Sequence, residues 1–338
     1  MNRAKIELKK ERDKKAVSKK IVVTDKVMDG KYLDRIKEVA GKYGYEAVMA
    51  VTEEEKAQHI PDAEIIHGYG DKVLKGSTEC LKWVCASSAG TDWFINSEIR
   101  PKHEVLLSNC SGAYGVAVSE HAVMLLLQLL KREPEYNEII RKRVFKNDLW
   151  AGSVYQSNVT ILGTGDLGLC LAERLKGFGP KQIVGVNRSG KDPGGAFDKI
   201  ITQEEVESIL PETDALMICL PGTAETKGFV NLDRMKLMPS HSVIVNVGRG
   251  NVVVQEDIIK ALTKGIIKAA ALDVYEKEPF DADNPLFECP NLLMTPHCAG
   301  NMVMYYTVER VCEIFCEDLE NYFNGRPLKH AVELSVGY

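Results

Sequence analysis

The sequence predicts an α/β protein of two domains, with parallel sheets built from short apolar strands that alternate with amphipathic helices. Two observations favour this class. The chain has 338 residues, which is more than one hydrophobic core usually fills. Apolar runs also recur along it, separated by helical patterns and by glycine-containing turns. We therefore expect a doubly wound parallel sheet and a second, smaller flavodoxin-like α/β domain.

The smaller domain is predicted over residues 20–115. It begins with an apolar strand, Lys20 to Thr24, and a helical pattern from Lys31 to Tyr43 that ends at a glycine. Four further strand-like runs follow, at Glu46 to Ala50, Glu64 to His67, Trp83 to Ser87 and Val105 to Leu107. The last helix, Val303 to Asn324, is expected to pack back on this domain, which therefore also includes residues 303–338.

The larger domain is predicted over residues 116–302. A long apolar helix from Val116 to Leu130 and a charged helix after Pro134 lead into it. Strand Asn158 to Leu162 and a helix from Asp166 to Phe178 then begin a regular alternation. The other strand-like runs are Ile183 to Val186, Ala215 to Leu220, Ser242 to Asn246, Ala269 to Asp273 and Leu292 to Met294. This alternation predicts the doubly wound sheet.

Composition excludes several classes of function. A formal net charge of -5 argues against a nucleic-acid partner, which normally requires a basic surface. No segment approaches the roughly 20 apolar residues of a membrane-spanning helix. The nine cysteines include no C-x-x-C pair, so we expect reduced thiols in a cytoplasmic protein and no metal site. Residues 1–19 are predicted to be a basic, solvated extension.

The clearest local motif is a G-x-G-x-x-G sequence formed by Gly163, Gly165 and Gly168. It follows a predicted strand and begins a helix, which is the context that a dinucleotide-binding turn of the Rossmann type requires. The first glycine permits the tight turn, the second allows the backbone to approach a pyrophosphate, and the third allows helix and strand to pack closely. An ordinary glycine turn is the alternative.

The residues after the next strand bear on the choice of cofactor. An acidic side chain usually binds the ribose of NAD at this position, but here the sequence is Asn187-Arg188-Ser189. Asn187 does not repel a phosphate, Arg188 offers a planar guanidinium, and Ser189 adds a hydroxyl donor. The sequence therefore favours NADP(H), with NAD(H) as the alternative. Arg188 as a solvated loop residue, or stacked on adenine, is the other interpretation.

Three polar side chains follow later strands of the same domain. Arg249 lies between two glycines, Glu278 precedes a proline, and His297 follows another proline. An arginine binds a carboxylate in bidentate fashion, and a carboxylate beside a histidine raises the histidine pKa and orients the ring. Each residue alone has an ordinary explanation: a surface ion pair, a solvated charge or a histidine in a turn. Together, at strand ends beyond a dinucleotide motif, they indicate catalysis.

Five ordered motifs also carry a family resemblance. They are Gly163 to Gly168, Leu220 to Thr226, Asn246 to Gly250, Leu272 to Pro279 and Thr295 to Gly300. On these motifs, residues 20–330 resemble the D-isomer-specific 2-hydroxyacid dehydrogenase family, with Asn187-Arg188 most similar to its NADP-preferring glyoxylate/hydroxypyruvate reductases. The resemblance implies hydride transfer between NADP(H) and a small 2-oxo or 2-hydroxy acid, and a homodimer formed with the helix from Val116.

The resemblance also implies roles for individual residues. Arg249, Glu278 and His297 would be catalytic. The substrate would contact Arg249, the loop at Tyr69 and Gly70, and backbone amides at Ala89 and Gly90. The cofactor would contact Gly163, Thr164, Gly165, Asp166, Leu167, Gly168, Asn187, Arg188, Ser189, Leu220, Pro221, Thr226, Val247, Gly248, Asp273, His297, Ala299 and Gly300.

Other functions remain open at this point. Proteins of this fold can act as nicotinamide-sensing corepressors, and a dehydrogenase of formate or phosphite would share the fold. A fall in cofactor absorbance on addition of a 2-oxo acid would distinguish a reductase from both. Trp93 stands where other residues are more usual in the family, and Tyr69 occupies a substrate-loop position that varies across it. The sequence therefore does not identify the 2-oxo acid.

Overall fold

The computed structural model describes residues 19–302 and 304–334. The predicted basic extension, except for Lys19, lies outside the described residues. The chain divides into two compact units, one within Met1–Ala113 and Met302–Tyr338 and the other Tyr114–Asn301. The assignment of substrate binding to one unit and dinucleotide binding to the other stays a prediction.

The first unit contains a five-stranded parallel sheet. Its strands are β1 (Lys20–Val23), β2 (Glu46–Met49), β3 (Ile65–Gly68), β4 (Trp83–Ala86) and β5 (Leu106–Ser108). Their order is β2-β1-β3-β4-β5, which is the flavodoxin-like order. The helices before the second unit are α1 (Lys31–Gly41), α2 (Glu53–His59) and α3 (Asp92–Ile95). The expected flavodoxin-like class is therefore confirmed.

The second unit contains a seven-stranded parallel sheet. Its strands are β6 (Asn158–Leu162), β7 (Gln182–Asn187), β8 (Lys199–Thr202), β9 (Ala215–Ile218), β10 (Val243–Asn246), β11 (Ala269–Leu272) and β12 (Leu292–Met294). Its helices are α4 (Gly115–Lys131), α5 (Glu133–Arg141), α6 (Asp166–Lys176), α7 (Leu232–Leu237) and α8 (Gln255–Thr263). The order is β12-β11-β10-β9-β6-β7-β8, so the doubly wound Rossmann sheet is confirmed.

The last helix, α9 (Tyr305–Phe323), belongs to the first unit and packs against α1. Nine of its residues are buried, at positions that recur every three or four residues, which is the pattern of a helix with one apolar face. The sequence predicted both this helix and its packing. No helix of the described chain combines the length and the apolar character needed to span a bilayer.

The strand β8 was not predicted. It has four residues, of which only Ile201 is buried, and it pairs with β7 alone at the edge of the sheet. An edge strand with one buried side chain lacks the apolar run that identifies interior strands. The other predicted strands are present, with ends that differ from the predicted ones by at most two residues.

The order of strands in the second unit determines where a ligand can bind. Strand β6 lies between β7 and β9. The connection that leaves β6 leads to β7 on one side, and the connection that leaves the adjacent β9 leads to β10 on the other side. Ligands of open α/β sheets bind at this point, beside the carboxyl ends of the strands. The predicted glycine motif begins directly after β6.

Candidate active site

The glycine loop has the shape that a pyrophosphate requires. Gly163 has a φ of +95°, and a Cβ there would lie 2.9 Å from the carbonyl oxygen of Cys219. A Cβ on Gly168 would lie 1.9 Å from the carbonyl oxygen of Gly163, whereas one on Gly165 would have no heavy atom within 4 Å. Space is therefore left at the residue before α6, where the helix N-terminus favours an anion. The loop fits a dinucleotide.

The other residues of this loop have partners within the unit. The carboxylate of Asp166 lies against Gly115 at the start of α4, 2.8 Å from the position that a Cβ would take. Thr164 is buried and its hydroxyl accepts a hydrogen bond of 2.8 Å from Asn187 Nδ2. Leu167 is half-buried. Of the predicted cofactor residues in this motif, Thr164 and Asp166 thus also stabilise the loop.

Asn187 at the end of β7 organises the turn that follows it. Its amide donates to Thr164 Oγ1 and to the carbonyl of Lys191, at 2.8 and 2.9 Å. Its Oδ1 accepts hydrogen bonds from the backbone amides of Ser189 and Gly190. Arg188 is more than half exposed, and its Nη1 is 3.7 Å from Glu225 Oε2. The guanidinium is therefore at the surface, where a phosphate could reach it.

The ends of β9 and β10 supply further predicted cofactor residues. After β9, Leu220 is buried and the hydroxyl of Thr226 donates to the carbonyl of Pro221 at 2.5 Å. After β10, Val247 and Gly248 are buried, and a Cβ on Gly248 would lie 2.6 Å from the carbonyl oxygen of Leu220. The two segments are therefore in backbone contact beside the glycine loop.

Arg249 is presented by a turn at the end of β10. The side-chain amide of Asn246 donates to the carbonyl of Arg249, and its Oδ1 accepts from the amide of Gly248. A Cβ on Gly250 would lie 1.9 Å from the carbonyl of Tyr275, so glycine is required there by the close approach of the next segment. The sequence motif included Asn246 without assigning it this positioning role.

His297 and Glu278 are in direct contact. Nδ1 of His297 is 2.5 Å from Glu278 Oε2, and Glu278 Oε1 accepts a hydrogen bond of 2.7 Å from the amide of Tyr275. The side chains remain 48% and 32% exposed, so the imidazole is open to a substrate. The backbone of His297 has a φ of +50°, a left-handed conformation that histidine tolerates better than most residues.

The contact between His297 and Glu278 raises the pKa of His297. The hydrogen bond to Glu278 is the largest cause, burial opposes it, and the charges of Glu278 and Asp273 add to it. Burial alone would raise the pKa of Glu278, but the hydrogen bonds from His297 and from the Tyr275 amide lower it below its usual value. The nearby charge of Arg249 lowers both pKa values. The contact thus favours the ion pair of imidazolium and carboxylate over the neutral pair.

Asp273 holds the loop that carries His297. Its carboxylate is buried and accepts hydrogen bonds from Thr295 Oγ1 at 2.6 Å and from the amides of Cys298 and Ala299 at 3.0 and 3.1 Å. Gly300 follows, where a Cβ would contact the ring of Tyr114 at 3.4 Å. These contacts fix the loop on both sides of His297.

His121 on α4 extends this network and was missed in the sequence. Its Nε2 is 3.1 Å from Thr295 Oγ1 and 3.6 Å from Asp273 Oδ1. Thr295 therefore bridges α4 and the carboxylate that anchors the His297 loop. A histidine within a largely apolar helix was the available signal, but its partner Thr295 lies 174 residues away.

The first unit contains the loops predicted to bind substrate. Tyr69 is 60% exposed and its ring is 6.0 Å from that of Trp93, edge to face. Asn109 Nδ2 donates to the carbonyl of Ala89 at 2.8 Å, and Ser88 Oγ donates to the carbonyl of Gly90 at 2.5 Å. Gly70 has a φ of +84°. The role of both loops in substrate binding stays a prediction.

A Rossmann sheet with a glycine loop that fits a dinucleotide, a histidine–carboxylate pair and an arginine is typical of nicotinamide-dependent oxidoreductases. Residues 123–299 match the family described as "D-isomer specific 2-hydroxyacid dehydrogenase, NAD binding domain". The chain belongs to the D-isomer specific 2-hydroxyacid dehydrogenase family, and it is an NAD(P)-dependent oxidoreductase of that family. The predicted family, reaction class and enzyme activity are thereby confirmed.

Individual relatives agree with this assignment. The chain is 31% identical to a protein of Pectobacterium atrosepticum named glyoxylate/hydroxypyruvate reductase B, over 70% of this chain and 76% of the relative. A Serratia proteamaculans protein of the same name is 29% identical, over 78% and 83% of the two chains. A D-isomer specific 2-hydroxyacid dehydrogenase family protein from Aeromonas salmonicida superposes with a TM-score of 0.82 and 26% identity, covering 94% and 99%.

Proposed function

We propose that this protein reduces small 2-oxo acids to D-2-hydroxy acids and that NADPH is its preferred reductant. The observation that carries the proposal is the His297–Glu278 pair, with Nδ1 2.5 Å from Oε2, beside Arg249 at the strand ends of a dinucleotide-binding sheet. Glyoxylate and hydroxypyruvate are the first substrates to test, because two relatives are named after them.

Each of the predicted active-site residues has a separate role in the proposed reaction. When bound, the nicotinamide supplies the hydride. Arg249 binds the substrate carboxylate and stabilises negative charge on the carbonyl oxygen as it develops. The protonated imidazole of His297 gives its proton to that oxygen, and Glu278 keeps the ring charged and oriented until the transfer. Asp273 and Thr295 hold the loop on which the imidazole is carried.

A substrate panel tests the proposed reaction. Consumption of NADPH would be followed by absorbance with glyoxylate, hydroxypyruvate, pyruvate and a bulkier 2-oxo acid, and the product would be identified by chiral chromatography. We expect turnover with at least one of the small acids and a D product where the product is chiral. Absence of turnover with the whole panel, while formate or phosphite reduces NADP⁺, would refute the proposal.

The raised pKa of His297 predicts the pH dependence of reduction. Because reduction requires the protonated imidazole, kcat/KM should be high below the His297 pKa and fall as the pH rises through it. The hydrogen bond to Glu278 places this descending limb above the ordinary histidine value of 6.5. In Glu278→Gln the limb should move to lower pH, whereas Glu276→Gln, on an exposed neighbour, should leave it unchanged. An unmoved limb in Glu278→Gln would contradict the pairing.

The preference for NADPH rests on the residues after β7. No acidic side chain stands at position 187 to repel a 2′-phosphate, and the guanidinium of Arg188 is at the surface, 3.7 Å from the exposed carboxylate of Glu225. We expect Arg188→Ala to lower kcat/KM for NADPH about tenfold or more while that for NADH changes little. Lys181→Ala, at the opposite end of β7, is the control. An unchanged ratio between the cofactors in Arg188→Ala would remove this role.

We also propose that the protein is a cytoplasmic homodimer. The described cysteines are free thiols, which agrees with a reducing compartment. Segment 144–155, which follows α5, exposes large apolar side chains, among them Phe145 at 91% and Trp150 at 63%. Exposed apolar groups of this size favour an interface between chains. Light scattering coupled to gel filtration measures the mass directly, and a monomeric mass would refute the dimer.

A further inference from the structure

An imidazole and two thiols form a buried cluster in the sheet of the first unit. His67 is in β3, Cys85 is in β4 and Cys110 follows β5, and all three residues are fully buried. One ligand atom from each, a ring nitrogen or a sulfur, lies within 4.8 Å of the others. Histidine nitrogen and cysteine sulfur are the donors that zinc prefers in proteins.

The register of the parallel sheet brings these residues together. His67 pairs with Val23 of β1 on one side and with Cys85 of β4 on the other. Cys85 in turn pairs with Ser108 of β5. Asp25 comes two residues after the paired Val23, and Cys110 comes two residues after the paired Ser108. The cluster therefore lies at the carboxyl ends of adjacent strands. Nothing in the sequence spacing resembles a metal motif, which is why the sequence predicted none.

Three buried polar atoms at the cluster lack hydrogen bonds. Neither ring nitrogen of His67 has a hydrogen-bond partner within the described chain, and neither does Oδ2 of Asp25, which lies 3.7 Å from Nδ1. Buried polar atoms of native proteins nearly always have a partner, and a bound ion is one of the few explanations for an exception. A fully buried imidazole with two unsatisfied nitrogens therefore points to a ligand.

The local charge also favours a cation. Burial lowers the pKa of His67 and keeps the ring neutral, which is the form that binds metals. The hydrogen bond with Cys85 and burial raise the pKa of Cys110 well above its usual range, and the negative charges of Asp25 and Asp318 raise it further. The carboxylates of the partly exposed Asp25 and the fully buried Asp318 create a negative potential near these thiols that a divalent ion would relieve.

We propose that His67, Cys85 and Cys110 bind one Zn²⁺ ion, with Asp25 beside the imidazole as a fourth ligand or as the acceptor of its N–H. Two thiolates would balance the charge of the ion. A tetrahedral zinc site separates its ligand atoms by roughly 3.5–3.8 Å. The ligand atoms of the present cluster lie within 4.8 Å of one another, so they would move closer by at most about 1.3 Å on binding. The ion would join the ends of β3, β4 and β5 beneath the loops that follow them, including Tyr69 and Ser88.

A second group, formed by His121, Asp273 and Cys298, also has the ligand types and spacing of a metal site. Unlike the nitrogens of His67, the polar atoms of this group have hydrogen-bond partners. Thr295 and a backbone amide donate to Asp273, and His121 contacts Thr295. No ion is needed to explain this group. It serves instead as an internal control for the zinc experiment.

The test measures zinc binding to the full-length wild-type protein. Protein stripped with a chelator under reducing conditions would be titrated with Zn²⁺ against a colorimetric competitor, and with Co²⁺ for its absorption spectrum. We expect one zinc per chain and a Co²⁺ spectrum with tetrahedral d–d bands and thiolate charge transfer. Binding well below one ion per chain, or a Co²⁺ spectrum without thiolate bands, would overturn the proposal without recourse to any variant.

Variants then locate the site. Cys85→Ser and Cys110→Ser should each lower zinc affinity by about 100-fold or more, whereas Cys298→Ser and the peripheral Cys80→Ser should leave it unchanged. Circular dichroism would establish that each variant is folded. Unchanged affinity in folded Cys85→Ser and Cys110→Ser, or loss of binding in Cys298→Ser, would assign the zinc elsewhere. Neither result depends on the proposed reductase reaction, since no step of the measurement uses turnover.

Discussion

Replacement of His297 by glutamine is expected to reduce kcat for 2-oxo acid reduction by about 1000-fold, within the range that general acid catalysis contributes. Glutamine can still donate a hydrogen bond to Glu278 but cannot deliver a proton to the developing alkoxide. The side chain of His297 is 48% exposed, so the substitution should change the free energy of unfolding little. NADPH affinity, measured by fluorescence titration, should stay within about twofold of the wild-type value.

The chain offers a matched control for this variant. His241 also pairs with a carboxylate, because its Nε2 is 2.7 Å from Asp214 Oδ1, and it too is exposed. It is not among the groups that follow the strand ends at the glycine loop. His241→Gln should therefore keep kcat unchanged. A His297→Gln enzyme with kcat within tenfold of wild type would mean that another group donates the proton.

Gly168→Ala is expected to lower the stability of the protein, whereas Gly165→Ala is expected to leave stability nearly unchanged and to weaken cofactor binding. A Cβ on Gly168 would lie 1.9 Å from the backbone oxygen of Gly163, so α6 must move away from the turn. We expect this overpacking to lower the free energy of unfolding by about 3 kcal/mol, the upper part of the usual range. A Cβ on Gly165 meets no heavy atom within 4 Å and should leave stability nearly unchanged.

The two variants separate folding from cofactor binding. Gly165→Ala should bind NADPH at least tenfold more weakly, because the methyl group occupies the space that the pyrophosphate needs. Thermal unfolding without cofactor and fluorescence titration with NADPH provide the two measurements. If Gly165→Ala binds NADPH like the wild type, the open space beside this residue is not the pyrophosphate site. If Gly168→Ala is as stable as the wild type, the contact with Gly163 can relax.

Strands with a continuous apolar run were predicted from sequence with little error. Asn158–Leu162 has the predicted ends because a buried run stops at a glycine with positive φ. The edge strand Lys199–Thr202 was missed because it has a single buried residue. A strand buried on both faces has a continuous apolar run and can be predicted from sequence, whereas an edge strand with few buried residues lacks such a run.

The site was predictable where chemistry follows a strand end, and not where it depends on tertiary packing. Arg249, Glu278 and His297 each follow a strand, so the alternation of elements identified them. His121 contacts Thr295 only because α4 packs against the sheet. The cluster around His67 is likewise a product of strand register, which no local pattern encodes. Asn187 was identified, but the hydrogen bonds of its side chain were not.

Those hydrogen bonds limit how cofactor preference could change by mutation. Conversion towards NAD would place an aspartate at Asn187, as an acidic residue there binds the ribose hydroxyls. Aspartate would retain the acceptor for the amides of Ser189 and Gly190 but would lose the donor to Thr164 and to the carbonyl of Lys191. A carboxylate oxygen would then face the Lys191 carbonyl. An evolutionary route between the two cofactors would therefore require the turn at residues 188–191 to be rebuilt together with the charge.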